Sequence, residues 1–226
     1  MRRMPPAAIV FDAFGTLFDL NALRTRTRQA ASHEGDELFS AFKTRLIPWT
    51  WHATASGNYV PFPEIAAEAV MGAAREARFP IERSTADWIV EGLLELPPFD
   101  DVEPGLRALK DAGIELAILT NGTADGIEAV VSNAGLADCF DHLLAADSVR
   151  RFKPAPEVYA LATEALDLDA GEILFASGHE WDVAGAAAAG MATVFLARGE
   201  ACAPVRGREP GFECEDVPDL ARVVTG

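Results

Sequence analysis

Lysine is scarce in this chain. In 226 residues there are three, Lys43, Lys110 and Lys153. The other positive charges are arginines, so each lysine is a candidate for a specific task. Positive charge is short as a whole: 19 Lys and Arg stand against 35 Asp and Glu, a formal charge of −16. That balance argues against nucleic acid or an anionic membrane as partner, since both are held by cationic surfaces. A small anionic substrate stays open if a few cations line its pocket. Cysteine is scarce too. Cys139, Cys202 and Cys214 are odd in number and far apart, with no CxxC pair and no disulfide framework. Long apolar runs are missing. The stretch after Met1-Arg2-Arg3-Met4-Pro5-Pro6 is too short for a signal peptide, and nothing reaches transmembrane length. We therefore expect a soluble, cytoplasmic protein. There is no internal repeat. The nearest thing to a biased tract, Ala184 to Gly190, reads as a small-residue helix packed close to a sheet.

What is present is apolar material in short pieces. Half the residues are hydrophobic, ample for a buried core. The length suits one large domain or a core with an insertion. The organising stretch is Ile9-Val10-Phe11-Asp12-Ala13-Phe14-Gly15-Thr16-Leu17-Phe18. An apolar run of this kind reads as a strand buried on both faces of a parallel sheet. Its C-terminal end is where open α/β sheets carry their chemistry. Asp12 would sit there, beside a turn that Gly15 lets bend sharply. An aspartate so placed can be a nucleophile, a metal ligand or a cap.

From about Asn21 to Pro97 the pattern is helical, with no clear strand. One helix is expected from Asn21 to Arg45, loosened near Gly35, with Trp49 and Trp51 following it. A second is expected over Pro63–Arg78, with Pro63 and Glu64 suited to its first turn. A third is expected over Ser84–Leu96, with Ser84 as N-cap and Asp87 completing a variant capping box. From Phe99 onward strands and helices alternate. Helices are expected at Glu103–Ala112, Asp125–Ala134, Pro156–Leu166 and Asp182–Ala189. Strands are expected at Ile114–Leu119, His142–Ala146, Glu172–Ala176 and Thr193–Leu196. The tail beyond Gly199 reads as loop with a short closing helix. This rhythm predicts a doubly wound, Rossmann-like parallel sheet with an inserted helical cap. The expected division is 1–17 and 98–226 for the α/β core and 18–97 for the cap. Four polar strand ends, Asp12, Thr120-Asn121, the Lys153 loop and Ser177 to Asp182, should converge on one crevice.

These four stations, in this order, resemble the motifs of the haloacid dehalogenase superfamily. Asp12 in Asp-x-Phe-Gly-Thr-Leu-Phe matches the nucleophile, and Thr120 the hydroxyl after the second strand. Lys153, before Pro154, matches the motif lysine, and Asp182 the acidic fourth motif. The resemblance covers almost the whole chain. Within it, the phosphatases carry a second aspartate two residues after the nucleophile and hold Mg²⁺ with fourth-motif carboxylates. Here those positions are Phe14 and Gly178. A phenyl ring is no general acid, and Asp12 with Asp182 alone is a thin magnesium site.

The resemblance is instead to the (S)-2-haloacid dehalogenase branch, which usually has an aromatic residue at the Phe14 position. It implies a cofactor-free hydrolase without metal, acting on short 2-haloalkanoates. Asp12 would displace halide from C2 to leave an ester, which water then hydrolyses. Lys153 would keep Asp12 and Asp182 ionised, and Asp182 would position or activate the water. Thr16, Thr120 and Ser177 would hold carboxylate oxygens. Phe62, Asn121, Tyr159 and Trp181 match the residue types that line the halide and substrate pocket. The stretches Thr50-Trp51 and Asn58-Tyr59-Val60-Pro61-Phe62 also look like that branch. It further implies a homodimer. Two positions depart from it. Lys43 stands where the branch has a cap-helix arginine, and it keeps the charge but not the fork geometry. His179 stands where asparagine is usual, and it can titrate near neutral pH. A magnesium-dependent phosphatase and a non-catalytic ligand-binding relative remain the alternatives.

Overall fold

A computed structural model describes residues 6–198, 202 and 207–226. The expected start of the tail loop, at 199–201 and 203–206, lies outside the described residues, as does the segment 1–5. Among the described residues six parallel strands form one sheet: β1 (Ala8–Phe11), β2 (Glu115–Thr120), β3 (His142–Ala145), β4 (Ile173–Ser177), β5 (Ala192–Leu196) and β6 (Phe212–Cys214), in the order β3-β2-β1-β4-β5-β6. The order reverses at β1, which lies between β2 and β4. That makes the end of β1 the switch point where a doubly wound sheet opens a crevice.

The strands are apolar throughout because both faces are covered. Alternate residues of β1 split between two cores: Ile9 and Phe11 face one, Ala8 and Val10 the other. β2 and β4 divide the same way, with Leu116, Ile118, Leu174 and Ala176 on the first side and Ala117, Leu119, Ile173 and Phe175 on the second. The second face is closed by α7 (Pro156–Leu166) and α8 (Glu180–Ala188). The first is closed by α5 (Val102–Asp111), α6 (Ala124–Asn133) and α9 (Val217–Thr225). An apolar run with no polar alternation is what two covered faces produce.

Between β1 and α5 the chain is helical: α1 (Leu23–Ala31), α2 (Gly35–Ser56), α3 (Phe62–Glu76) and α4 (Arg83–Glu91). The two connections to the sheet run side by side. Asp19 N–H donates to the Pro97 carbonyl at 2.9 Å and Phe99 N–H to the Leu17 carbonyl at 3.0 Å.

The expected loosening near Gly35 is present, and two other expectations here are corrected. The break in the first helix falls at a 3₁₀ turn, Ser32–Glu34, and Gly35 begins α2. A Cβ at Gly35 would collide with the Arg28 backbone, so close packing of α1 on α2 explains this glycine. The helix also does not stop at Arg45. It runs through Pro48 to Ser56, carrying Trp49 and Trp51. Burial of Leu46, Thr50 and Ala53 continues the 3–4 spacing across the proline and outweighs its penalty of about 3 kcal/mol. Ser84 caps nothing. The N-cap of α4 is Glu82, without a side-chain bond, and Asp87 accepts from Arg83 Nε at 2.7 Å. Short edge strand β6 was not foreseen. Its three residues pair with β5, one of them exposed, and so leave little pattern to read. The closing helix is present as α9. Among the described residues no helix is long and apolar enough to cross a membrane.

Candidate active site

Four loops at the C-terminal strand ends meet at Asp12, whose own N–H extends the β1–β4 ladder to the Ala176 carbonyl at 2.9 Å. Gly15 turns the chain sharply with φ of 81°. A side chain there would strike His179 Nε2, since a Cβ would lie 2.9 Å from it. The turn brings Thr16 back onto the aspartate. Thr16 Oγ1 donates to Asp12 Oδ2 at 2.7 Å and accepts from Gly178 N–H at 2.9 Å.

Lys153 comes up from the loop before α7. Asn121 Oδ1 holds its backbone N–H at 2.8 Å. Its ammonium donates to Asp12 Oδ1 and Asp182 Oδ2, both at 2.7 Å, and to the Leu119 carbonyl at 2.9 Å. All three ammonium donors are thereby used. Asp182, in the first turn of α8, is wholly buried. Tyr159 hydroxyl donates to its Oδ1 at 2.6 Å, and Ser177 Oγ donates to its Oδ2 at 3.3 Å.

The two carboxyls sit in opposite electrostatic situations. Burial alone would push Asp12 up, but Lys153, His179 and the Thr16 hydroxyl together hold it below the usual aspartate range. Burial pushes Asp182 up, and the neighbouring Asp12 charge adds to this beyond what Lys153 and Tyr159 take back. Burial opposes the charge on Lys153, yet the two carboxylates hold its pKa above the ordinary lysine value. Tyr159 is pushed well up by burial and by Asp182, so it stays a neutral donor.

Above this floor lies a cleft of about 390 Å³, lined both by strand-end residues and by the helical segment 20–95. Asp12, Phe14, Thr120, Asn121, His179 and Trp181 line it from the sheet side, and Lys43 and Phe62 from the helices. His179 Nε2 lies 2.9 Å from the Phe14 carbonyl and 3.7 Å from Asp12 Oδ2. Both neighbours are acceptors, so this nitrogen carries the hydrogen. The imidazole stacks on Trp181 at 5.6 Å and 13°. Phe14 and Phe62 stack at 6.1 Å and 7°. The cleft is thus aromatic, with Asp12 at its base.

Of the residues singled out in the sequence, Thr16, Lys153, Ser177 and Asp182 join Asp12 in one bonded network. Thr120 lines the cleft, but its hydroxyl accepts from Gly122 N–H at 3.0 Å. Asn121 has a buried Nδ2 without a partner. Lys43 is exposed and lines the cleft, with its ammonium 5.9 Å from the Phe39 ring centroid. Arg45 turns away to pair with Glu76 and the Ala41 carbonyl. Tyr159, expected on the pocket wall, is corrected: it is fully buried beneath Asp182 and does not line the cleft. Asp182 does not line it either.

Arg198 was not singled out. It follows β5, donates from Nε to the Thr16 carbonyl at 2.7 Å, pairs with Asp101 at 2.7 Å and lines the cleft. A lone arginine after an apolar strand was the only signal available. Among the described residues no group of three or more His, Cys, Asp or Glu side chains is gathered to hold a metal ion.

Comparison with known proteins sets this geometry in a class. The family model of haloacid dehalogenase-like hydrolases matches residues 6–190, and the chain belongs to that family. Within it, the chain is 37% identical over 205 residues to the (S)-2-haloacid dehalogenase of Pseudomonas sp. (strain YL), covering 91% of this chain and 88% of that protein. It is similar in structure to the L-2-haloacid dehalogenase RSc1362, with a TM-score of 0.94 and 32% identity over 99% of this chain and 100% of that one. It is also similar to the L-2-haloacid dehalogenase from Xanthobacter autotrophicus with chloropropionic acid covalently bound. That match has a TM-score of 0.91 and 29% identity over 98% of this chain and 99% of the other.

Proposed function

We propose that the chain is a hydrolytic dehalogenase of short 2-haloalkanoic acids. The observation that carries this is the state of Asp12. It is an ionised carboxylate, tied by Lys153 and Thr16, at the base of an aromatic cleft, with a phenyl ring at position 14. Such a group is a nucleophile for a carbon bearing a good leaving group. It has no acid beside it at position 14 to protonate an alkoxide, which a phosphate ester would require. Displacement at C2 releases halide and leaves an aspartyl ester. Water then attacks the Asp12 carbonyl carbon and releases a 2-hydroxy acid.

Lys153 offsets the charge of the nucleophile, and Asp182 holds Lys153 in place. Asp182 is also the carboxyl with raised proton affinity, reached from Asp12 across the Lys153 ammonium, and we assign it the proton of the water. Thr16, Ser177 and Tyr159 fix these groups. Asn121, Thr120, His179, Trp181, Phe62 and Lys43 face the substrate. No step needs a metal or organic cofactor. Residues 18–97 act as a cap, hinged on the paired connections at Asp19 and Phe99.

The test is halide release from each enantiomer of 2-chloropropionate in the presence of EDTA. Release from one enantiomer, abolished in Asp12→Asn, is expected. No release from either, with phosphate-ester hydrolysis restored by Mg²⁺, would replace this reading by a phosphatase.

A further inference from the structure

A second chamber lies against the first. It has a volume of about 220 Å³ and sits between α3 and α4 on one side and the start of α6 on the other. Phe14 and Phe62 line both this chamber and the Asp12 cleft. The stacked pair is therefore the partition between them. Its fit is close on the core side, where a Cβ at Gly122 would come within 3.3 Å of the Phe14 ring.

Beyond the rings the chamber is lined by Val90, Leu93 and Leu94, while Glu64, Asp87 and Glu91 contribute acidic groups. The one cation among them, Arg83, is taken by Asp87 at 2.7 Å and Glu68 at 3.2 Å. An acidic lining with its arginine already paired repels a carboxylate. The acidic side chains disfavour an anionic head group there, and Val90, Leu93 and Leu94 share the lining with the two rings.

We propose that this chamber receives the alkyl tail of longer 2-haloalkanoates, and that the Phe14–Phe62 pair is the gate that limits chain length. The carboxylate and C2 stay in the Asp12 cleft, and carbons beyond C3 pass the gate. This rests on the haloalkanoate reading of the cleft. With the rings stacked as they are, the chain favours short acids.

The test measures binding and turnover separately. The probes for binding are propionate and hexanoate, unreactive at C2, titrated calorimetrically. Those for turnover are 2-chloropropionate and 2-chlorohexanoate. Phe62→Ala and Phe62→Leu should raise the hexanoate-to-propionate affinity ratio, tenfold or more for alanine and less for leucine, with a parallel rise in the kcat/KM ratio. Phe14→Leu opens the same partition from the core side and serves if the Phe62 variants fail to fold. Adding Leu94→Trp, which fills the chamber from its exposed edge, should cancel the gain. An unchanged ratio in a folded Phe62 or Phe14 variant overturns the gate. A gain that survives Leu94→Trp overturns the chamber as its destination. Absent halide release with the binding ratios shifted would sink the dehalogenase reading and leave the gate standing. Halide release with the ratios unmoved would do the reverse.

Discussion

The floor and the wall of the cleft are built on opposite principles. In the floor, Thr16, Lys153, Ser177, Tyr159 and Asp182 are all fully buried, and each is bonded to another member or to Asp12. In the wall, Phe14, His179 and Trp181 are half-buried and meet mostly through ring faces. A buried charge is tolerated only when every donor and acceptor around it is satisfied, so the floor admits few substitutions. A wall of rings asks only for volume and shape. Chemistry is thus fixed below and substrate choice is left adjustable above.

The comparison is broken most directly at Lys153. Lys153→Met leaves two buried carboxylates facing each other without a cation. We expect a stability loss of about 3–5 kcal/mol in denaturant unfolding and no measurable turnover. A variant as stable as the parent would show that the floor charges are not interdependent. Next comes pH. Ester formation needs Asp12 ionised, and its pKa is lowered, so that step persists to acid below the ordinary aspartate value of 3.8. Ester hydrolysis needs Asp182 ionised; the Asp12 charge is gone in the ester, but burial still pushes the Asp182 carboxyl up, so we expect that step to fail first as pH falls. Between the two values the alkylated enzyme should accumulate, read by mass spectrometry after brief exposure and acid quench. If both steps fade together at every pH, the two carboxyls do not divide the work in this way. Smaller is the effect of Tyr159→Phe, which strips one donor from buried Asp182. A cost of about 1.5–3 kcal/mol is expected, with slowed hydrolysis and little change in the halide burst. A loss confined to the burst would put Tyr159 nearer the substrate than the geometry has it.

The floor was also the more legible part in sequence. Asp12, Lys153, Ser177 and Asp182 each end, follow or accompany an apolar strand, and the switch point of a doubly wound sheet gathers such positions whatever their distance in sequence. The strands themselves announced their burial by lacking alternation. Orientation was harder. Tyr159 lies six residues beyond Lys153, close enough to read as part of the pocket, yet one turn of α7 carries it beneath Asp182 rather than beside the substrate. Asp182 was legible as a participant, but its shielding from the cleft depends on packing that no spacing reveals. Arg198 went unread because it ties the Thr16 carbonyl to the Asp101 carboxylate, and such a role has no motif. In the helical segment, the first helix was expected to end at Arg45, but buried Leu46, Thr50 and Ala53 carry it on through Pro48. Propensity gave way there to tertiary packing.

The central claim is that Asp12 bonds to the substrate carbon and is then freed by attack on its own carbonyl. One turnover with enzyme in excess over 2-chloropropionate, in water enriched in heavy oxygen, tests it. The account predicts that the heavy atom enters the Asp12 carboxylate, detected on the peptide carrying Asp12, while the first hydroxy acid released stays light. Heavy oxygen in that first product, with Asp12 unlabelled, would mean that water attacked the substrate directly and that Asp12 is not the nucleophile.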